Sequence, residues 1–409
     1  MKWKKPTLGL PREASYQRDS LLSEPIHERS EQPLVTKGAI DVPMLLITTA
    51  LILFGCVMIY SASSVYAEQY HDDNTYFIAR HLGFLLMAIG FAAVVVAFCT
   101  PKLWYDFGPV LFGISLILLL LVLVIGSDLG SGAKRWIDLK VITIQPSEIA
   151  KIGLVMMLAR FLSDNERRIF APGLFGTSFR YGVFWPAVMI GVTGLLIAAE
   201  RHISGLMIIG MLGVALMFLG GTDMRWLAGF FGVVAVAGVV LILVSPYAQS
   251  RVLTWWDIDS ADPLGEAWQT LQGLMAIGSG GLFGTGLGNS RQKFGYVSQP
   301  QNDFIFTIIC EELGFIGAAL TIALFALFLW RGFYIAKHAP DKCSALIVFG
   351  LTFKVALQVV LNIAVVTNSM PNTGIALPFF SYGGTALMLQ VFEVGIILSI
   401  SRYCTHKKI

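Results

Sequence analysis

Charge is scarce in this chain. Of its 409 residues only 13 % are Asp, Glu, Lys or Arg, against 56 % hydrophobic, where a soluble protein of this size carries about 25 % charged residues. A soluble globular fold is excluded by that balance. Cysteine is sparse too: Cys56, Cys99, Cys310, Cys343 and Cys404 are scattered, without metal-ligand spacing and without a disulfide pattern. The six histidines are isolated and form no His-x-x-x-His pair, so no protein-built zinc site is expected. No apolar stretch precedes Pro43, so no cleavable signal peptide is expected. A net charge of only +3 gives no reason to expect a nucleic-acid partner.

Long apolar runs are what the chain has in abundance. Windows long enough to cross a bilayer, roughly 17–25 residues each, fall at 43–63, 80–99, 104–125, 146–162, 182–199, 203–220, 227–245, 304–330, 343–366 and 382–401. The expected fold is therefore an all-α polytopic membrane protein of about ten helices. The polar, Pro-, Ser- and Glu-rich residues 1–40 read as a disordered cytoplasmic tail, and 41–409 as the membrane domain. Lys and Arg concentrate on the side of that tail, which places both termini in the cytoplasm.

Two loops on the opposite side hold most of the polar residues. The first, Ser127 to Gln145, carries Lys134, Arg135 and Lys140. The second, residues 246–303 between the seventh and eighth spans, is by far the longest and contains Arg251, Gln269, Gln272, a glycine-rich run at 278–288, Gln292 and Lys293. A loop of that length in a compact membrane protein is usually functional. Its Gly284-x-Gly286-x-Gly288 resembles nucleotide fingerprints only superficially, since the preceding strand and the Lys-Ser/Thr ending are missing. The glycines read better as tight turns and close backbone approach to a ligand or a neighbouring helix.

The loop ends on Asp303, where polar sequence runs into an apolar helix. A carboxylate at the mouth of a membrane bundle marks a functional site by default, although Asp also suits a solvated helix cap. Glu148 and Lys151, three apart at the start of the fourth span, share a face and read either as a structural ion pair or as part of an anion site with Arg135. Lys354 and Glu393 are further intramembrane charges that pairing across helices would explain. Glu311 and Glu312 lie roughly 12 Å below Asp303 on the same helix, too far for a carboxyl dyad. A lone outward carboxylate suits removal of a proton from an attacking hydroxyl, with nearby cations holding a phosphate leaving group.

Six sequence pieces in order carry a resemblance. They are Arg135-Trp136-Ile137-Asp138-Leu139; Gln145-Pro146-Ser147-Glu148-Ile149-Ala150-Lys151; Gln269-x-x-Gln272 with Ala276-Ile277-Gly278-Ser279-Gly280-Gly281; Gly286-Leu287-Gly288-Asn289-Ser290-Arg291-Gln292-Lys293; Asp303-Phe304-Ile305-Phe306 leading to Glu311-Glu312-Leu313-Gly314; and Pro371-x-x-Gly374 before Leu377-Pro378-Phe379-Phe380-Ser381-Tyr382-Gly383-Gly384-Thr385. Together they resemble the SEDS family of shape, elongation, division and sporulation proteins (FtsW, RodA, SpoVE), most closely its division and sporulation branch. The resemblance implies a peptidoglycan glycosyltransferase of the bacterial plasma membrane, polymerising lipid II at the outer face for septal wall synthesis. It implies a class B penicillin-binding protein and other division membrane proteins as partners, and Asp303 falls on the family's essential loop aspartate. The expected substrate-binding residues are Arg135, Glu148, Lys151, Arg251, Gln269, Gln272, Gln292, Lys293 and Ser381, with a divalent cation (Mg or Mn) left open beside them. A lipid II flippase and a non-catalytic division scaffold are the rival readings. The chain departs from the family at Glu200-Arg201-His202-Ile203-Ser204-Gly205, where Gln-Pro-Asp-Leu-Gly-Thr is common, and around Asn368 to Gly374.

Overall fold

A computed structural model describes residues 37–404 except 128–133, 140–141, 172–175, 259–261, 263–264 and 266. The expected N-terminal tail lies almost wholly outside the described residues. Everything below belongs to the compact unit Gly38–Ile409.

The protein is all-α, apart from one short hairpin among the described residues. Helices α1 (Val42–His71), α2 (Tyr76–Phe98) and α3 (Pro101–Ile125) precede the hairpin, whose strands β1 (Ile137–Asp138) and β2 (Thr143–Ile144) pair antiparallel, Ile137 opposite Ile144. Then come α4 (Pro146–Asp164), α5 (Thr177–Ala199), α6 (Ile203–Gly220) and α7 (Met224–Val244). The long loop folds into α8 (Pro246–Trp256), α9 (Trp268–Ser279) and a run of turns, followed by α10 (Ile305–Lys337), α11 (Lys342–Val366) and α12 (Gly384–Ser401).

Nine of these helices are long and apolar enough to cross a membrane by length and composition. The tenth expected span, α4, carries Glu148, Lys151, Arg160 and Asp164 and is not counted among them. It is instead the protein-facing helix, packed against α3, α6 and α11, with Ala150 to Met156 buried without a break. A helix buried all round tolerates polar groups only where protein partners meet them. Helix α1 runs past its expected end at residue 63 to His71, because no breaker occurs until Asp72 turns left-handed at φ 53°.

One end of the bundle is fixed by polar contacts. Asp41 caps α1 by accepting from the Met44 amide at 2.9 Å, and Arg331 near the end of α10 grips both its carboxylate oxygens at 2.7–3.1 Å. The Gly38 amide donates to the Arg402 carbonyl at 2.8 Å, so the described N- and C-terminal segments share one face. Asp303 lies just before α10 and Arg331 near its end. That stretch rises roughly 40 Å at about 1.5 Å per residue, more than a hydrocarbon core of about 30 Å. Asp303 therefore lies on the face opposite Gly38 and Arg402.

Helix α10 is broken at Gly314, where φ is 67° and ψ −161°. The break frees carbonyls above it and amides below it, which a bilayer could not satisfy. The glycine loop fills that gap. Thr285 and Gly286 amides donate to the Glu311 and Glu312 carbonyls at 2.9 and 3.0 Å, while the Phe315 and Ile316 amides donate to Gly281 and Leu282 at 2.9 and 3.2 Å. A Cβ on Gly280 or Gly284 would overlap the Cys310 or Glu312 carbonyl, and Gly284 also sits at φ 79°. The glycines thus serve close approach to a neighbouring helix.

Candidate functional site

A cavity of about 540 Å³ is lined by the α2 start, the hairpin with the start of α4, the start of α6, the segment around Asp303, Gln358 of α11, and the 374–386 connection into α12. Asn362 of α11 organises one wall, since its side-chain amide donates to the Asp303 and Ile375 carbonyls, both at 2.7 Å. The Tyr382 amide donates to the Gln301 carbonyl at 2.8 Å, and the Thr385 hydroxyl to the Thr143 carbonyl at 2.7 Å. These bonds lock irregular backbone around the opening.

Asp303 points into this cavity. It is half-buried, makes no ion pair among the described residues, and does not cap α10, whose N-cap is Phe304 with no side-chain bond. The solvated-cap reading is thereby replaced. Burial pushes its carboxyl up to about 6, against the pull of its own backbone amide and of the Arg251 charge. A carboxylate poised near neutrality and facing a cavity is suited to accept a proton.

The same wall gathers Arg135, Glu148 and Lys151. Arg135, set by the hairpin, donates to the Arg201 carbonyl at 2.5 Å and leaves its Nε buried without a partner. Lys151 is held by Glu148 at 2.5 Å. Behind them Lys354 reaches Glu148 at 3.5 Å and pairs with Glu393, so the four charges of α4, α11 and α12 cancel, in line with the cross-helix pairing expected for Lys354 and Glu393.

Other sequence candidates do not line the cavity. Lys293 is 4 % exposed and spends its charge on the Gly288 carbonyl at 2.6 Å and Glu312 at 3.2 Å. Glu311 accepts from the Ser290 hydroxyl and the Arg291 amide, and Glu312 from the Ser61 hydroxyl at 2.6 Å. Lys293 is thus a fastener of the glycine loop, because the break at Gly314 brings that loop onto the two glutamates. Gln292 shares that anchorage through its backbone amide, 3.4 Å from Glu311. Arg251 lies on α8 beside a separate small recess with Trp255, Thr270 and Asn372, yet its field reaches Asp303. Gln269 bridges to Ser298 and Asn372, Gln272 is buried on α9, and Ser381 accepts from the Leu377 amide at 2.7 Å. These three shape the walls from behind.

Several cavity residues escaped the sequence reading: Arg80, His202, Asn302, Gln358 and Tyr382. Tyr382 sat inside a quoted motif, His202 inside the departure at 200–205, and Asn302 directly before the Asp303 motif. Arg80 lies where an apolar window begins, and Gln358 is, with Asn362, one of two amides in an apolar span, so neither gave a signal. His202 bonds the Ser147 hydroxyl at 3.2 Å, and burial with the neighbouring Lys151 and Arg135 charges drives its ring down to about 3, so it is neutral. Glu200 next to it has both oxygens buried and unpartnered, and burial raises it to about 8 against the Arg135 charge.

The family model described as "Cell cycle protein", covering FtsW, RodA and SpoVE, matches residues 42–406. The chain belongs to the SEDS family. Among its SEDS relatives, stage V sporulation protein E of Bacillus subtilis is 40 % identical, over 90 % of this chain and 99 % of that one. A probable peptidoglycan glycosyltransferase FtsW of Trichlorobacter lovleyi is 37 % identical over 88 % and 93 %. Of solved structures, a chain from a peptidoglycan synthase complex that coordinates polymerization and crosslinking superposes with TM-score 0.73 at 27 % identity, covering 89 % of this chain and 98 % of that one. RodA of Thermus thermophilus gives 0.66 at 25 %, over 90 % and 99 %. The chain thus shares a polytopic membrane-bundle fold with these two solved structures.

Proposed function

We propose that this SEDS protein is a peptidoglycan glycosyltransferase that joins lipid II units into glycan strands for division-type wall synthesis, with Asp303 as general base. The observation that carries the base assignment is a half-buried carboxylate without a counter-ion, facing a cavity that also holds Arg135. In the reaction Asp303 takes the proton of the acceptor sugar hydroxyl as its oxygen bonds the donor's anomeric carbon. The bond from that carbon to the diphosphate oxygen breaks, and the lipid diphosphate leaves with the electron pair. Arg135 stabilises the leaving group directly and Lys151 contributes from the cavity wall. Arg251 acts at longer range, lowering the cost of ionising Asp303.

Among the described residues no group of three or more His, Cys, Asp or Glu is placed to hold a metal. A Mg or Mn ion would need one carboxylate plus substrate phosphates, and Asp303 fits that role as the cavity carboxylate without a lysine partner. Such an ion would neutralise developing charge on the leaving diphosphate. Both termini are assigned to the cytoplasm, so the cavity opens on the extracytoplasmic face. A class B penicillin-binding protein is the partner that would crosslink the product, supported by the likeness to a chain of a synthase complex.

Purified protein with such a partner and lipid II tests this. Glycan polymer formed by wild type and lost in Asp303→Asn is expected. Lipid translocation without polymer, or full polymerisation by Asp303→Asn, would overturn it.

A further inference from the structure

Of the cations lining the cavity, Lys151 is already compensated by Glu148. Arg80 and Arg135 are not. Among the described residues neither pairs with a carboxylate; Arg80 donates only to the Tyr76 hydroxyl at 2.7 Å and Arg135 only to a backbone carbonyl. Arg80 is exposed and Arg135 half-buried, so both guanidinium groups stand open to an anion entering the cavity. Pairing with one would add hydrogen bonds to a charged acceptor that neither makes among the described residues. The start of α12 lies on the same cavity wall through Gly384, Thr385 and Ala386. No side chain caps that 18-residue helix, so its first-turn amides present the positive end of the helix dipole. A further group on the wall is short of a partner: Gln358, 3 % exposed, has an amide oxygen with no hydrogen bond.

We propose that Arg80 and Arg135, with the first-turn amides of α12, form the diphosphate-binding site of this cavity, Arg80 being its second guanidinium. This deepens the glycosyl-transfer reading and rests on it. The arrangement separates two duties on one wall. Guanidinium groups bind phosphate oxygens bidentately, while Lys151 remains committed to the buried charge cluster. Phe84, one turn below Arg80 on α2, also faces the cavity and supplies apolar surface next to the charged group, as an amphiphilic lipid diphosphate requires.

The test uses the full-length protein in nanodiscs and measures binding of undecaprenyl diphosphate and undecaprenyl monophosphate. Losing one charge-assisted contact of this kind weakens binding about tenfold to a hundredfold. Arg80→Gln is expected to lose that much affinity for the diphosphate and markedly less for the monophosphate, to raise KM for lipid II, and to keep the wild-type melting temperature. Arg80→Lys restores part of the loss. Unchanged diphosphate affinity and KM in Arg80→Gln, with polymerisation intact, would overturn the Arg80 assignment and leave the glycosyl-transfer reading standing. Equal losses for both lipids would also overturn it, since a site built for two phosphates discriminates between them. Wild-type protein that binds diphosphate but never polymerises would sink the parent reading instead.

Discussion

Two charged regions share one cavity and are in opposite states of balance. Behind its inner wall Lys151, Glu148, Lys354 and Glu393 form a closed set of two cations and two anions. Around the opening, Asp303, Arg80 and Arg135 have no oppositely charged partner within ion-pair reach among the described residues. The first region satisfies itself and holds α4, α11 and α12 together. The second is left open, as the proposed ligand site requires. Charge in a membrane protein therefore does not by itself locate chemistry; charge left without a partner does.

The sharpest way to break this comparison is to remove the unpaired carboxylate. Asp303→Asn deletes no ion pair and no cap, so folding should be untouched while polymerisation falls about 10²–10⁴-fold, the usual worth of a general base. Activity and melting temperature measured on the same preparation decide it; a variant that loses both together would place Asp303 among the structural charges.

The converse substitution attacks the balanced set. Lys354→Met leaves Glu393 and Glu148 facing each other with one lysine between them. Removing one partner of a buried pair costs about 3–5 kcal/mol, so thermal unfolding in detergent should shift strongly downward. Lys354→Met with Glu393→Leu should recover much of that loss, since replacing both members by apolar side chains is often near neutral. If the single variant is as stable as wild type, the cluster is not the fastener described here.

A smaller effect is expected where glycine rather than charge does the holding. Gly284→Ala places a Cβ against the Glu312 carbonyl at a positive φ. The left-handed conformation alone costs an alanine about 1–2 kcal/mol, and the overlap adds to it. The loop should lift from the break in α10, detectable as faster protease cleavage between residues 284 and 293. Unchanged cleavage would mean that the contact is looser than the backbone bonds imply.

The spans were legible because a bilayer demands long apolar runs and nothing else produces them. Asp303 was legible because a carboxylate at such a boundary is costly. The partners of each charge were not. Lys293 and Lys151 look alike in sequence, each a lysine in a polar motif, yet one is consumed by Glu312 because a broken helix brings the glycine loop onto it. That break depends on Gly314 adopting φ 67°, which no periodicity encodes. Arg80 was hidden for the opposite reason. It begins an apolar window, where a positive residue reads as an interfacial anchor, and only the meeting of α2 with the start of α12 turns it toward the cavity.

The finest distinction concerns Arg251, which acts on Asp303 without lining the cavity. Burial holds the Asp303 carboxyl up at about 6 and the Arg251 charge pulls it down. The base works only when ionised, so activity should be full well above pH 6 and fall as pH drops through that value. Arg251→Gln removes the downward pull. Its acid limb should move to higher pH, with turnover at high pH close to wild type, because no contact to the cavity is lost. A pH–rate profile of wild type and variant side by side reads this directly. An acid limb that stays in place while the plateau drops would instead make Arg251 a binding residue of the opening, and the line between its paired and unpaired charges would have to be redrawn.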